Sequence, residues 1–219
     1  MAKYVIVFII VAMILPASFL MGGEEKKRPF RNVEWGMTMK EVRKAEQKAE
    51  LVKETKEKNK RLSEMTYKTK LNNTSFLLRY YFADDKLYSA SYICDDNFED
   101  SNRYVEEYYA FNSQLTKLYG TPETDNTIWE IDLYKNDKSM LGRAYALGHV
   151  MSYGNWRNID GNIIIAQISG KKGETELVLS YSSDYHELPI EAGIADGVLK
   201  VTADGEIVEI TANDNDGDL

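Results

Sequence analysis

Residues 65–94 constrain the fold more than any other stretch, because three β-type runs follow one another with only two residues between each. The runs are 65–71, 74–83 (TSFLLRYYFA) and 86–94 (KLYSASYIC), separated by Asn72-Asn73 and Asp84-Asp85. Asn and Asp tolerate the backbone conformations that tight hairpin turns demand. Phe76, Leu78, Tyr80 and Phe82 fall on one side of the middle run, since successive strand side chains point to opposite faces. In the third run Leu87, Ser89, Ser91 and Ile93 alternate with Tyr88, Ala90, Tyr92 and Cys94. Such a segment reads as an antiparallel meander with one face to bury, so other elements must supply a cover.

Two helices answer that need. In 100–119 the side chains Tyr104, Tyr108, Phe111, Leu115 and Leu118 recur at steps of 4, 3, 4 and 3, which makes one apolar stripe. Ser101 or Asn102 caps this helix, and Gly120 with Pro122 ends it. Upstream, Thr38 followed by Glu41 is a capping box, and Met39, Val42, Ala45 and Ala49 predict a helix ending near 47–50. The run KETKEKNKR at 53–61 has no apolar period and reads as a solvated loop or frayed helical extension.

Further strands are expected at 128–134, 143–153, 161–169 and 175–182, the last two joined by Gly170-Lys171-Lys172-Gly173. Residues 198–211 read as a hairpin turning at Asp204-Gly205. The expected class is α+β, with helices packed on one face of an antiparallel sheet. Helix-then-strands occurs twice, so the domain at 24–183 is expected to hold two helix-plus-meander units in tandem, about 33–94 and 101–182. An acidic hairpin and tail follow at 184–219.

Ahead of that domain, residues 4–21 carry no charge after Lys3. Segment 1–23 reads either as a cleaved signal peptide or as an uncleaved membrane anchor. Both place the domain outside the bacterial cytoplasm, in the periplasm or anchored facing it. The formal net charge is −8, which argues against nucleic acid as a partner, because polyanion binding needs clustered cations. The charge is graded along the chain. Residues 24–70 hold 15 basic and 9 acidic side chains, whereas 184–219 hold 1 and 10. Weak contact with anionic lipid is therefore expected through 24–70.

The inventory for chemistry is thin. Cys94 is the single cysteine, so no intramolecular disulfide or cysteine-based metal centre is available. Asp95 and Asp96 beside it disfavour a thiolate, which speaks against a nucleophilic Cys94–His149 dyad. His186 lies beside a turn at Leu188-Pro189. Asp95, Asp96, Glu99 and Asp100 form one acidic loop, and Asp214-Asn215-Asp216-Gly217-Asp218 has the look of half a calcium loop. Solvated acidic turns account for both, so no catalytic, cofactor-binding or metal-ligating residue is assigned.

The segment Gly36-Met37-Thr38-Met39-Lys40-Glu41-Val42 resembles the G-M-T-x-x-x-V helix opening of small exported α+β modules typified by the outer-membrane assembly lipoprotein BamE. That fold is similar to the tandem-repeat β-lactamase inhibitory proteins. Leu118-Tyr119-Gly120-Thr121-Pro122 is similar to the Gly-x-Pro with which the helix unit closes, and Phe30-Arg31-Asn32-Val33-Glu34-Trp35-Gly36 resembles the lead-in of uncharacterised bacterial exported proteins. The chain departs from the lipoproteins in lacking a lipobox cysteine. The resemblance implies a non-enzymatic interaction module of the envelope with a protein partner, and it brings no site residues or cofactor. The other expectation is a structural or stress-associated envelope protein without a defined ligand, and after that a small hydrolase.

Overall fold

In a computed structural model, which describes residues 30–56, 61–71, 73–159, 161–183, 199–201 and 207–209, eight antiparallel strands form one sheet. The chain runs through α1 (Met39–Ala45), β1 (Glu50–Lys56), β2 (Leu62–Leu71), β3 (Thr74–Ala83), β4 (Lys86–Cys94) and α2 (Asn102–Tyr119). It continues through β5 (Thr124–Trp129), two 3₁₀ turns (Asp132–Tyr134 and Lys138–Met140), α3 (Leu141–Ala146), β6 (Val150–Ile159), β7 (Asn162–Lys171) and β8 (Glu174–Ser183). Strand order is β1-β2-β3-β4-β8-β7-β6-β5. The class is α+β, with an antiparallel sheet and three helices. A separate two-stranded ladder pairs β9 (Leu199–Val201) with β10 (Ile207–Glu209). This is where the sequence places its hairpin, whose expected turn Asp204-Gly205 lies outside the described residues, as do 1–23 and His186.

The meander forms in the expected register, with Leu71 opposite Thr74 and Ala83 opposite Lys86. Asp84 and Asp85 take positive φ values of 49° and 59°, the backbone of a tight hairpin turn. One face is apolar across the whole sheet. Met65 and Tyr67 of β2, Phe76, Leu78, Tyr80 and Phe82 of β3, and Ala90 and Tyr92 of β4 are buried on it. Leu177 and Leu179 of β8 and Ile164, Ala166 and Ile168 of β7 continue it. Leu87 joins this face as well, against simple alternation. Tyr81 pairs with Ser89 and Phe82 with Leu87, so Tyr88 is an extra residue on β4, and such a bulge flips every side chain beyond it.

All three helices lie on the apolar face. Thr38 caps α1 through the expected reciprocal bonds with Glu41, and α1 buries Met39 and Val42. It ends at Ala45 instead of near 47–50, because the next residue, Glu46, turns its carboxylate into the sheet toward Tyr80. Helix α2 buries Tyr104, Tyr108, Phe111 and Leu115, but Leu118 at the end of the stripe is 61% exposed. Neither Ser101 nor Asn102 caps the helix with its side chain: Asp100 accepts from the Asn102 amide, and the Asn102 side chain reaches the α3 region.

Several further expectations needed correction. The charged run read as loop at 53–61 is in part the edge strand β1, whose charges pair along the sheet: Lys53 with Glu64 and Lys68 with Glu50. The run read as one strand at 143–153 is α3 followed by β6, and the strand expected at 128–134 is β5 shifted toward the N-terminus and followed by a 3₁₀ turn. The turn between β7 and β8 is two residues, Lys172 and Gly173, at positive φ.

Helix α3 fills a hole. On β6 the buried positions facing the helices include Ser152 and Gly154, and Tyr145 enters this space with its hydroxyl 2.6 Å from Ser152 Oγ. Two glycines let the segment approach. A Cβ on Gly142 would meet the backbone of Ser101 and Asn102, and one on Gly170 would meet the carbonyl oxygens of Tyr145 and Glu174. Gly170→Ala is therefore expected to cost about 1–3 kcal/mol, the usual range for overpacking against backbone. A melting temperature within a degree of wild type would show that α3 is loosely seated.

Candidate functional site

The side chains on the other face of the sheet meet no helix among the described residues. Register places them in rows. One row runs Leu77, Ile93, Val178, Gln167, Tyr153 and Asn126 across six strands. The next runs Thr66, Arg79, Ser91, Ser180, Ile165 and Asn155. Hydroxyls tie neighbouring strands: Ser91 and Ser180 lie 2.9 Å apart, Ser89 donates to the Tyr181 carbonyl, and Asn126 donates to the Tyr153 hydroxyl. Tyr81 and Tyr88 contact each other at 6.4 Å between ring centroids. This face runs from buried positions (Thr66, Ser91, Ile163) to half-buried ones and is rich in Tyr, Ser and branched apolar residues, with Arg79 paired to Glu64 among them. That mixture gives rigid contact area together with adaptable hydrogen bonding.

On the helix side, a polar cluster fixes the chain at the first of the described residues. Arg31, at a φ of 48°, donates from Nε and Nη2 to the two carboxylate oxygens of Glu46 at 3.0 and 3.2 Å. Tyr80 donates to the same carboxylate at 2.6 Å, and Arg31 Nη1 reaches the Tyr92 hydroxyl at 3.3 Å. Glu46 is 3% exposed. Burial, reinforced by the Glu46 carboxylate, holds the Tyr80 hydroxyl far above the ordinary tyrosine range, so it stays a donor. Phe30 packs against Tyr80, Tyr92 and Tyr181 beside this cluster. An open cleft of about 480 Å³ lies outside it, lined by Arg31, Glu46, Lys48, Glu50, Lys68 and Thr69 among others. Its charges are of mixed sign and largely paired with one another.

Residues weighed for chemistry stay apart. Cys94 ends β4, while His149 precedes β6 and stacks on Tyr134. Three strand spacings separate β4 from β6, about 14 Å. Burial pushes the Cys94 thiol up to about 11, with the carboxylates of Asp96, Glu107 and Asp95 adding to it. Iodoacetamide should therefore label Cys94 slowly at pH 8, with a rate climbing roughly ten-fold per pH unit to pH 10. A rate already level by pH 9 would place the thiol in a different environment.

The acidic loop has structural duties. Asp96 accepts from the Ser75 amide, its carbonyl accepts from the Tyr104 hydroxyl, and Asp100 receives the Asn102 amide. Among the described residues no three His, Cys, Asp or Glu side chains gather as metal ligands. The acidic run at 214–218 lies outside the described residues. Several cations of the basic stretch are already engaged: Arg31 with Glu46, Arg43 with Glu54, Lys53 with Glu64, Arg61 with Asp84 and Lys68 with Glu50. Sequence reasoning missed the Arg31–Glu46 clip and the edge strand β1. Neither has a periodic signal: the charges of β1 are matched by those of the neighbouring strand β2, and Arg31 and Glu46 stand 15 residues apart on either side of α1.

These features define an α+β protein whose antiparallel sheet carries its described helices on one face. No known protein family, curated protein or solved structure matches the chain.

Proposed function

We propose that the chain is an exported, non-enzymatic interaction module of the bacterial envelope, built from two helix-plus-meander units in tandem and working through its open sheet face. The observation that carries this is the composition of the face opposite the helices, with Tyr81, Tyr88 and Tyr153 among serines and branched apolar side chains, as in a protein-contact surface. Catalytic sites are concave, with convergent polar groups, and this face is not organised in that way. The uncharged stretch at 4–21 supports export, and the BamE-like Gly36-Met37-Thr38 opening supports a place in the envelope.

Spacing supports the tandem reading. Strands β6, β7 and β8 begin at 150, 162 and 174, and β2, β3 and β4 at 62, 74 and 86, a constant difference of 88. In both units four residues separate the helix end from the next strand, 46–49 and 120–123. Beyond the bulge at Tyr88 the spacing becomes 87, which makes Leu179 the counterpart of Tyr92. These two residues are also partners across the β4·β8 ladder, as a two-fold axis through that pair requires. The second unit differs by its β5–β6 connection, twenty residues (130–149) against five (57–61).

Affinity capture from envelope extract tests the function. A reproducible partner lost on Tyr81→Lys and Ile165→Glu is the expected result. A chain that retains no partner under mild extraction would instead favour a structural envelope protein.

A further inference from the structure

The two outer edges of the sheet are treated differently. β1, at one edge, alternates charges (Glu50, Lys53, Glu54, Lys56) and carries a register shift between Leu51 and Lys53. Charged side chains, lysine above all, and bulges are the means by which edge strands resist pairing with other chains. β5, at the other edge, has the sequence TDNTIW, with no lysine, arginine or proline, and it pairs with β6 in unbroken register. Among the described residues nothing pairs with its outer side.

The surroundings of β5 are apolar and acidic. Of seven exposed large hydrophobic side chains among the described residues, four lie here: Ile128, Ile131, Leu133 and Leu147. Residues 123–134 contain Glu123, Asp125, Glu130 and Asp132 and no basic residue. The nearest cations reach in from outside that segment, Arg157 to Glu123 and Lys135 to Asp132.

We infer that the outer edge of β5 is a docking site for an extended, basic and apolar segment of a partner protein, taken up as a ninth strand of the sheet. Backbone groups of the edge supply the hydrogen bonds, Ile128 and its apolar neighbours receive alternate side chains, and the four carboxylates select for lysine and arginine. The same charges disfavour the other candidates. A second copy would bring its own four carboxylates against these, and the tail at 184–219, with 10 acidic and 1 basic residue, would be repelled. This inference rests on the interaction reading above and gives it a partner chemistry, since an added strand would extend the open face.

The test uses the full chain in mild detergent and synthetic peptides of about ten residues, long enough to span a six-residue strand. A peptide alternating valine and lysine should bind and slow amide exchange in 124–129. Its valine–glutamate counterpart, and a version N-methylated on alternate residues, should each bind at least about ten-fold more weakly. Ile128→Lys, an exposed substitution that leaves the core intact, should weaken the valine–lysine peptide by a similar factor. Equal binding of the acidic peptide, protection on β1 instead of β5, or no effect of Ile128→Lys would each overturn the proposal. So would a peptide-free dimer that Ile128→Lys dissolves, since the edge would then belong to a second copy. Undiminished capture of an envelope partner by the Ile128→Lys chain would reject β5 while leaving the interaction reading standing. Loss of capture with Tyr81→Lys alone would point back to the open face.

Discussion

Replacing Trp156 with alanine is expected to lower stability by about 3–5 kcal/mol, the range for removing a large aromatic side chain from a core. Trp156 is 1% exposed and is the largest fully buried side chain among the described residues. It stands on β6, and its indole nitrogen donates to the Gly120 carbonyl at 2.9 Å, where α2 ends. The side chain thus joins the sheet to the C-terminus of the longest helix, and Gly154, whose added Cβ would touch the Trp156 ring, leaves it room. For a domain of this size the loss corresponds to a fall in melting temperature of roughly 6–20 °C. Trp156→Phe keeps most of the apolar area and loses the hydrogen bond, so it should cost about 1–2 kcal/mol. Urea titration of the two variants checks both figures. A loss under 1 kcal/mol for Trp156→Ala would mean that α2 is held mainly by other contacts.

The second large effect belongs to Glu46. Glu46→Ala leaves the Arg31 guanidinium partly buried without its carboxylate and the Tyr80 hydroxyl without its acceptor. Breaking one side of a buried ion pair typically costs 3–5 kcal/mol. Because Arg31 is 28% exposed, water reclaims some of that charge and about 3 kcal/mol is expected. The combination Arg31→Met with Glu46→Leu should recover the part of the loss that comes from the unpaired guanidinium, since an apolar pair removes the desolvation cost together with the attraction, but not the part from the Tyr80 hydroxyl, which still lacks its acceptor. A double variant no more stable than Glu46→Ala alone would show that the clip acts through geometry that only the charged pair provides.

The parts of the fold readable in the sequence are those whose cause is local. Thr38 and Glu41 cap one helix within a single turn, and the stripe from Tyr104 to Leu115 defines the other. Asp84-Asp85 and the strands on either side follow from turn chemistry and alternation. What escaped has no periodicity or turn residue to mark it. β1 looks like a solvated charge run until Glu64 and Lys68 are placed beside it. The six residues of α3 are too short for a helical period to stand out from the β-type run that follows. Tyr88 is an ordinary strand residue by composition, yet its bulge moves Leu87 into the core. The proposed likeness of the two halves has no trace in the residues. Between 62–94 and 150–182 no aligned position carries the same amino acid, and only the spacing of strands and turns is shared. Alternation in 86–94 separated Ser89 and Ser91 from Ala90 and Tyr92, but which of the two sides the helices cover depends on where those helices lie.

The strand order also sets a timetable for synthesis. β1 to β4 pair only with sequence neighbours, whereas the other side of β4 is closed by β8, which ends about 90 residues later. At the usual elongation rates of about 5–20 residues per second, that interval lasts roughly 5–20 s. During it the nascent chain presents the middle of its future sheet as an unpaired edge, with Leu87, Ala90 and Tyr92 not yet joined by Leu177 and Leu179. The β4·β8 ladder is thus the slow, long-range closure of the fold, and it is the step at which a holding chaperone, or an aggregating neighbour, would find its opening.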